Sequence, residues 1–249
     1  MTTTAPGTSV TERYRRGVAT LAARQKSSKG APAYSRWVNR GMGRRLAAAA
    51  DVVGLTPNAV TGMSAVATFG AVALLALVPP TPAVSVTIGV LLVLGYALDA
   101  ADGQLSRLQG TGSRAGEWLD HVVDATKTAS LHLAVLVGAY RFLDLPDVWM
   151  LVPLAYSVVS CVFFFAMTLT DQLRRAAQHR EGQFMAADGT SSTWYSLAVL
   201  PTDYGVLCVV LGLVAWPTVF WPVYTLLCAA TGGFLLLALP KWYREMRRP

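Results

Sequence analysis

The chain is poor in charge. Of its 249 residues only 14% are Asp, Glu, Lys or Arg, while 53% are hydrophobic. A soluble domain carries about 25% charged residues, so one compact membrane domain fits this composition better than two soluble ones. Cysteine is scarce as well. Cys161, Cys208 and Cys228 all lie in apolar runs, with spacings that suit neither a disulfide framework nor a zinc site. They read as small buried apolar residues. The N-terminus has no apolar stretch leading to a small-residue cleavage site, so no signal peptide is expected. No basic module studded with aromatics is present, and no nucleic-acid partner is expected. The net charge of +7, in so apolar a chain, points instead to an anionic membrane surface.

What the chain has is long hydrophobic runs. A bilayer-spanning helix needs about 20 apolar residues, and six segments qualify: 57–78, 83–101, 117–142, 149–169, 192–214 and 217–239. The third begins polar, and "PTDYG" interrupts the fifth. Helices are expected because a lone span must satisfy its backbone internally. The expected fold is thus an all-α polytopic membrane protein, six transmembrane helices preceded by an amphipathic interfacial helix. Residues 1–32 form a mostly disordered basic arm, with a short helix near 10–23 as an option. Residues 33–54 form the juxtamembrane helix, on which Tyr34, Trp37, Val38, Met42, Leu46 and Ala49 recur at helical spacing among Arg36, Arg40, Arg44 and Arg45. An ordinary surface helix packed on protein is its alternative. Residues 55–240 form the membrane domain and 241–249 a basic tail. All lysines and arginines but Arg141 then fall on one side, which places both termini in the cytoplasm of a plasma-membrane protein. "PPTPA" and "WPTVFWP" become short outer turns.

Against this background five acids gather between Leu98 and Asp124, in "LDAADGQLSRLQGTGSRAGEWLDHVVD". Asp99 and Asp102 are spaced i, i+3; Asp120 and Asp124 are spaced i, i+4. Either spacing sets two carboxylates on one helix face, about 5–6 Å apart at Cβ. The glycine-rich stretch between the pairs (Gly103, Gly110, Gly112, Gly116) reads as a loop that lets two helices fold back together at their cytoplasmic ends. Four converging carboxylates repel one another in a low dielectric unless a cation sits between them. Hard oxygen ligands suit Mg²⁺ or Mn²⁺, ions that also coordinate phosphates. Gly103 would let a phosphate or ribose approach the backbone, and Arg107 offers a guanidinium to a phosphate oxygen.

These residues resemble the signature of the CDP-alcohol phosphotransferases, D-x2-D-G-x2-A-R-x8-G-x3-D-x3-D. Here it is carried by Asp99, Asp102, Gly103, Ser106, Arg107, Gly116, Asp120 and Asp124, with every spacing kept and Ser106 in place of the usual Ala. The resemblance implies six membrane helices, a homodimer and a polar cavity open to the cytoplasm. It implies that Asp99, Asp102, Asp120 and Asp124 hold divalent metal, two ions, and that Asp124 is also the general base. It implies that Asp99, Asp102, Gly103, Ser106, Arg107 and Gly116 contact the CDP moiety. "TPNAVT" is similar to the family's entry to its first helix, which implies that Thr56, Pro57, Asn58 and Thr61 touch the cytidine end. The alternative there is a plain N-cap with Pro in the first turn.

The implied reaction is metal-dependent transfer of a substituted phosphate from a CDP-linked donor, CDP-diacylglycerol by preference, to an alcohol, releasing CMP in phospholipid biosynthesis. Headgroup transfer from CDP-choline or CDP-ethanolamine to diacylglycerol is the alternative. His121, next to Asp120, competes with Asp124 as base; it points roughly 100° away from Asp120 on a helix. Arg114, Lys127, Arg174, Arg175 and Arg180 are cations that could bind a phosphorylated acceptor, or simply anchor topology. A cation-coupled transporter is the rival from another class. It predicts internal repeats, and none is found.

Overall fold

The computed structural model describes residues 9–23, 31–181 and 193–247. These form nine α-helices with no strand among them. Most of the arm expected to be disordered (1–8 and 24–30) lies outside the described residues. Between these stretches α1 (Val10–Ala23) is helical. Ser9 and Glu12 form a reciprocal capping box at its start: the Ser9 hydroxyl accepts from the Glu12 N–H, and the Glu12 carboxylate accepts from the Ser9 N–H. A wide π-helical turn (Ser35–Asn39) leads into α2 (Arg40–Val52).

Helix α2 packs on protein through its smallest residues. Gly43, Ala47, Ala48 and Ala50 are buried, and a Cβ on Gly43 would stand 2.8 Å from that of Ala100. Trp37 and Val38 stay exposed. One face therefore serves the bundle and leaves aromatic and aliphatic groups on another.

Among the described residues five helices are long and apolar enough to cross a membrane: α3 (Pro57–Leu77), α4 (Pro82–Gln109), α5 (Arg114–Phe142), α6 (Leu151–Glu181) with the 3₁₀ turn before it, and α9 (Pro217–Met246). The protein is thus an all-α, multi-pass membrane protein. The fifth expected span, 192–214, is not one helix. Its described part comprises α7 (Thr193–Ala198), a 3₁₀ turn (Leu200–Thr202) and α8 (Tyr204–Leu211). Pro201 withholds an N–H, and Asp203 caps α8 by accepting from the Gly205 N–H at 3.0 Å. The broken segment still runs the length of the bundle. Ser196 meets Arg36 near one end, and the Ala215 N–H reaches Ser85 at the other.

Two more expectations need correcting. The glycine-rich stretch is not a loop: α4 continues to Gln109, and only residues 110–113 separate it from α5. Gly110 takes the left-handed conformation that ends α4 (φ 66°), and Ser113 caps α5. The acids of α4 therefore sit well inside a helix rather than at its end. "WPTVFWP" is not an outer turn either. Pro217 opens α9, a position that suits a residue without an N–H, and Pro222 lies within the helix.

Packing inside a bilayer relies on close approach of backbones. Gly89 of α4 meets Gly212 after α8, Gly95 of α4 lies against Ser64 and Thr68 of α3, and Gly138 of α5 presses on the Leu75 carbonyl. Leu75, Ile88, Leu131, Leu211, Phe220 and Tyr224 fill the core at the end away from the acids. Val158, Val162 and Phe165 of α6 are turned outward, as suits a lipid-facing helix.

Candidate active site

Helices α3, α4 and α5 bring the acids together. Carboxylate oxygens of Asp99, Asp120 and Asp124 lie within 4.8 Å of one another, half-buried. Asp102 is buried and turned toward α3, where the Thr61 hydroxyl donates to its Oδ2 at 2.6 Å. It stands outside the three-carboxylate group while remaining in electrostatic range of Asp99 and Asp120. The i, i+3 and i, i+4 spacings and the four-residue connection account for this convergence.

A lysine already sits among these acids. The Lys127 ammonium donates to Asp99 Oδ1 at 2.5 Å, to Asp124 Oδ1 at 3.2 Å and to Ser64 Oγ at 3.1 Å. All three of its protons are used, and the residue is 5% exposed. Ser64 in turn donates to the Gly95 carbonyl at 2.8 Å. The sequence reading missed Ser64. Its only signal is the i, i+3 spacing from Thr61, which puts both hydroxyls on the face of α3 that meets α4. Asp99, Asp120 and Asp124 offer hard, close-set oxygens, and a cationic group is held there now, so the donor set fits Mg²⁺ or Mn²⁺.

The remaining expected residues fall into three groups. Gly103 and Arg107 are adjacent on α4, one turn apart; a Cβ on Gly103 would stand 3.6 Å from an Arg107 Nη. The Arg107 Nε is buried without a hydrogen-bond partner, a guanidinium ready for an anion. Ser106 lies beside Gly112, and Gly116 beside Asn58, whose Oδ1 would be 3.3 Å from a Cβ there. At the start of α3, Thr56 accepts from the Ala59 N–H at 3.2 Å and Pro57 occupies the first turn. Thr56 thus caps the helix, and Thr61 orients Asp102.

The acceptor cations are dispersed. Arg114 is exposed at the start of α5. Arg174 grips Glu245 of α9 with two bonds of 2.7 and 2.8 Å and also reaches Asp171. Arg175 pairs with Glu117 at 2.6 Å. The side chain of Arg180 lies outside the described residues. His121 leans toward Glu117, 3.9 Å away. His132 is buried, with Tyr224 on one ring nitrogen and Ser160 on the other, which leaves it no free site for a proton-transfer role.

A cavity of about 1390 Å³ opens beside the acids. Asp99, Asp124 and Lys127 form one part of its wall; Thr68, Tyr96 and Leu131 extend that side, and α6, α9 and the broken segment supply much of the remainder. Asp203, which also accepts from the Ser35 N–H at 2.8 Å, lines it too. Asp203 therefore both makes a structural hydrogen bond and faces the cavity.

A helical membrane bundle with clustered carboxylates beside a large cavity defines a multi-pass membrane protein equipped for phosphate chemistry. Residues 54–239 match the family model of CDP-alcohol phosphatidyltransferase, and the chain belongs to that family. It is accordingly a membrane transferase that moves a phosphoalcohol group from a CDP-linked donor to an alcohol. No curated protein matches the chain.

Proposed function

We propose that this chain is a phosphatidyltransferase: it transfers a phosphatidyl group from CDP-diacylglycerol to an alcohol and releases CMP, in phospholipid biosynthesis. The observation that carries the reading is the convergence of Asp99, Asp120 and Asp124 inside the segment matched to the family. Asp99, Asp102, Asp120 and Asp124 would hold Mg²⁺ or Mn²⁺, two ions. Bound there, the metal screens the diphosphate charge and stabilises the departing CMP.

The protein's own groups do the rest. Arg107, with its unsatisfied buried Nε, binds a phosphate oxygen of the nucleotide. Gly103, Ser106 and Gly116 leave room for the CDP moiety, with Thr56, Pro57, Asn58 and Thr61 at its cytidine end. Asp124 takes the proton of the attacking hydroxyl; it faces the cavity, as a base for an incoming alcohol must. Lys127 sits within reach of the same space, while Arg174 and Arg175 are engaged by Glu245 and Glu117 and Arg114 is exposed at the start of α5. The distribution of Lys and Arg supports cytoplasmic termini and an active site at the cytoplasmic face of the plasma membrane. The working unit is a homodimer.

The test is purified protein in nanodiscs with radiolabelled CDP-diacylglycerol, Mg²⁺ or Mn²⁺ and a panel of alcohols. CMP release that requires metal and falls by about 10²–10⁴-fold in Asp124→Asn is expected of a lost general base. Release that survives chelation, or an Asp124→Asn variant as active as the wild type, defeats the mechanism.

A further inference from the structure

From the shape and lining of the cavity we infer that the acceptor is an alcohol carried on an apolar chain, a lipid alcohol rather than a small polar or phosphorylated one. This deepens the function proposed above and rests on it. The first step concerns sides. Asp99, Asp124 and Lys127 line the cavity, whereas Gly103, Arg107 and Gly116, which receive the nucleotide, do not. The carboxylates thus stand between a nucleotide side and a cavity side. In substitution at phosphorus the attacking and leaving oxygens lie roughly in line. CMP departs toward Arg107, so the hydroxyl arrives from the cavity. Its oxygen forms the new P–O bond as the bond to the CMP oxygen breaks. CMP leaves with that electron pair, and the proton passes to Asp124.

The second step concerns what the cavity can hold. Its 1390 Å³ exceeds the roughly 300–1,000 Å³ of an ordinary small-molecule pocket. On α9 its wall runs from Thr231 to Glu245, about 21 Å at 1.5 Å per residue. Phe163, Phe164 and Met167 of α6 and Phe234 and Trp242 of α9 line it. Phe163 packs against both α9 rings, at 5.8 and 6.1 Å between centroids. A polyol or a sugar phosphate would leave these surfaces wetted.

The third step concerns charge. Two of the cations that line the cavity are committed to carboxylates: Lys127 to Asp99 and Asp124, and Arg174 to Glu245 and Asp171. The remaining lining cation among the described residues, Lys241, is exposed near the end of α9, suited to the headgroup layer rather than to a phosphate beside the reacting centre. A hydroxyl at the carboxylates, an apolar body along α6 and α9, and a polar end near Lys241 match these parts of the wall.

The experiment varies chain length on donor and acceptor independently. Full-length protein in nanodiscs is given CDP-diacylglycerol of two chain lengths. The acceptors are diacylglycerol and phosphatidylglycerol of several chain lengths, and glycerol 3-phosphate, inositol phosphate and serine. Lipid alcohols should release CMP at least tenfold faster than the soluble acceptors. Ala238→Phe, which narrows the cavity, should shift the optimum to shorter acceptor chains, and Phe164→Ala to longer ones, with donor-chain dependence unchanged. A general loss of structure would lower both variants without moving the optima in opposite directions. Preference for a soluble acceptor overturns the inference, as does a shift in donor rather than acceptor chain dependence. CMP release from no donor–acceptor pair overturns the transferase reading beneath it.

Discussion

Replacing Lys127 by Met separates what holds the acids together from what they are for. In the wild type one ammonium links Asp99 and Asp124 and is almost fully shielded from solvent. Removing one partner of a buried ion pair costs about 3–5 kcal/mol. Here the carboxylates are themselves 23% and 26% exposed, so the lower end, about 3 kcal/mol, is the appropriate figure. Lys127→Met should therefore unfold at markedly lower temperature when all divalent metal is chelated. Metal should narrow that difference. The variant site carries one positive charge fewer, so its attraction for Mn²⁺ rises; two unit charges ~4 Å apart interact by about 4 kcal/mol at an effective dielectric of 20, and a divalent ion with a unit charge by up to about 8 kcal/mol. A tenfold tightening, about 1.4 kcal/mol, is the least this predicts. At a Mn²⁺ concentration of about 100 times the variant's Kd the variant gains about 2.7 kcal/mol and the wild type, binding tenfold more weakly, about 1.4 kcal/mol, so the gap narrows by about 1.3 kcal/mol. The assays are Mn²⁺ titration followed by electron paramagnetic resonance and thermal unfolding with chelator or Mn²⁺. A variant that binds Mn²⁺ no more tightly, or melts like the wild type in chelator, refutes the reasoning.

Other substitutions test other parts. Thr61→Val removes the 2.6 Å bond to buried Asp102. A hydrogen bond to a charged group is worth about 1.5–3 kcal/mol, which a lowered melting temperature and weakened Mn²⁺ binding should both report. Gly138→Ala places a Cβ 2.1 Å from the Leu75 carbonyl oxygen, so α3 and α5 must separate; an unchanged unfolding temperature in detergent would contradict that packing. Arg174 and Glu245 are each 38% exposed in their side chains, so a double-mutant cycle should give a coupling of only about 0.2–1 kcal/mol, falling as salt is raised.

Much of this architecture is legible in the residues, and the exceptions have physical causes. The carboxylate convergence follows from i, i+3 and i, i+4 spacings on helices joined by a short connection. The extension of α4 through Gly103 was hidden, because glycine is a poor helix former by itself. The composition of 192–214 announces a span, but Pro201 and the capping carboxylate of Asp203 break it. Lys127 reads as a cation awaiting a phosphate. Its place i+3 from Asp124 also sets it on the acidic face, and only the arrival of α3 with Ser64 and α4 with Asp99 decides how it is held. The family resemblance implies a polar cavity, but its lining by α6, α9 and the broken segment had no signature, since these lie far apart in sequence.

The four-residue link at 110–113 has a wider consequence. The three clustered carboxylates belong to one hairpin of two helices, while much of the cavity wall comes from the second half of the chain. On the proposed function, reactivity and selectivity would then be inherited largely separately. Exchanging the later helices for those of a relative would redirect the enzyme to a different alcohol while its phosphate chemistry stayed intact.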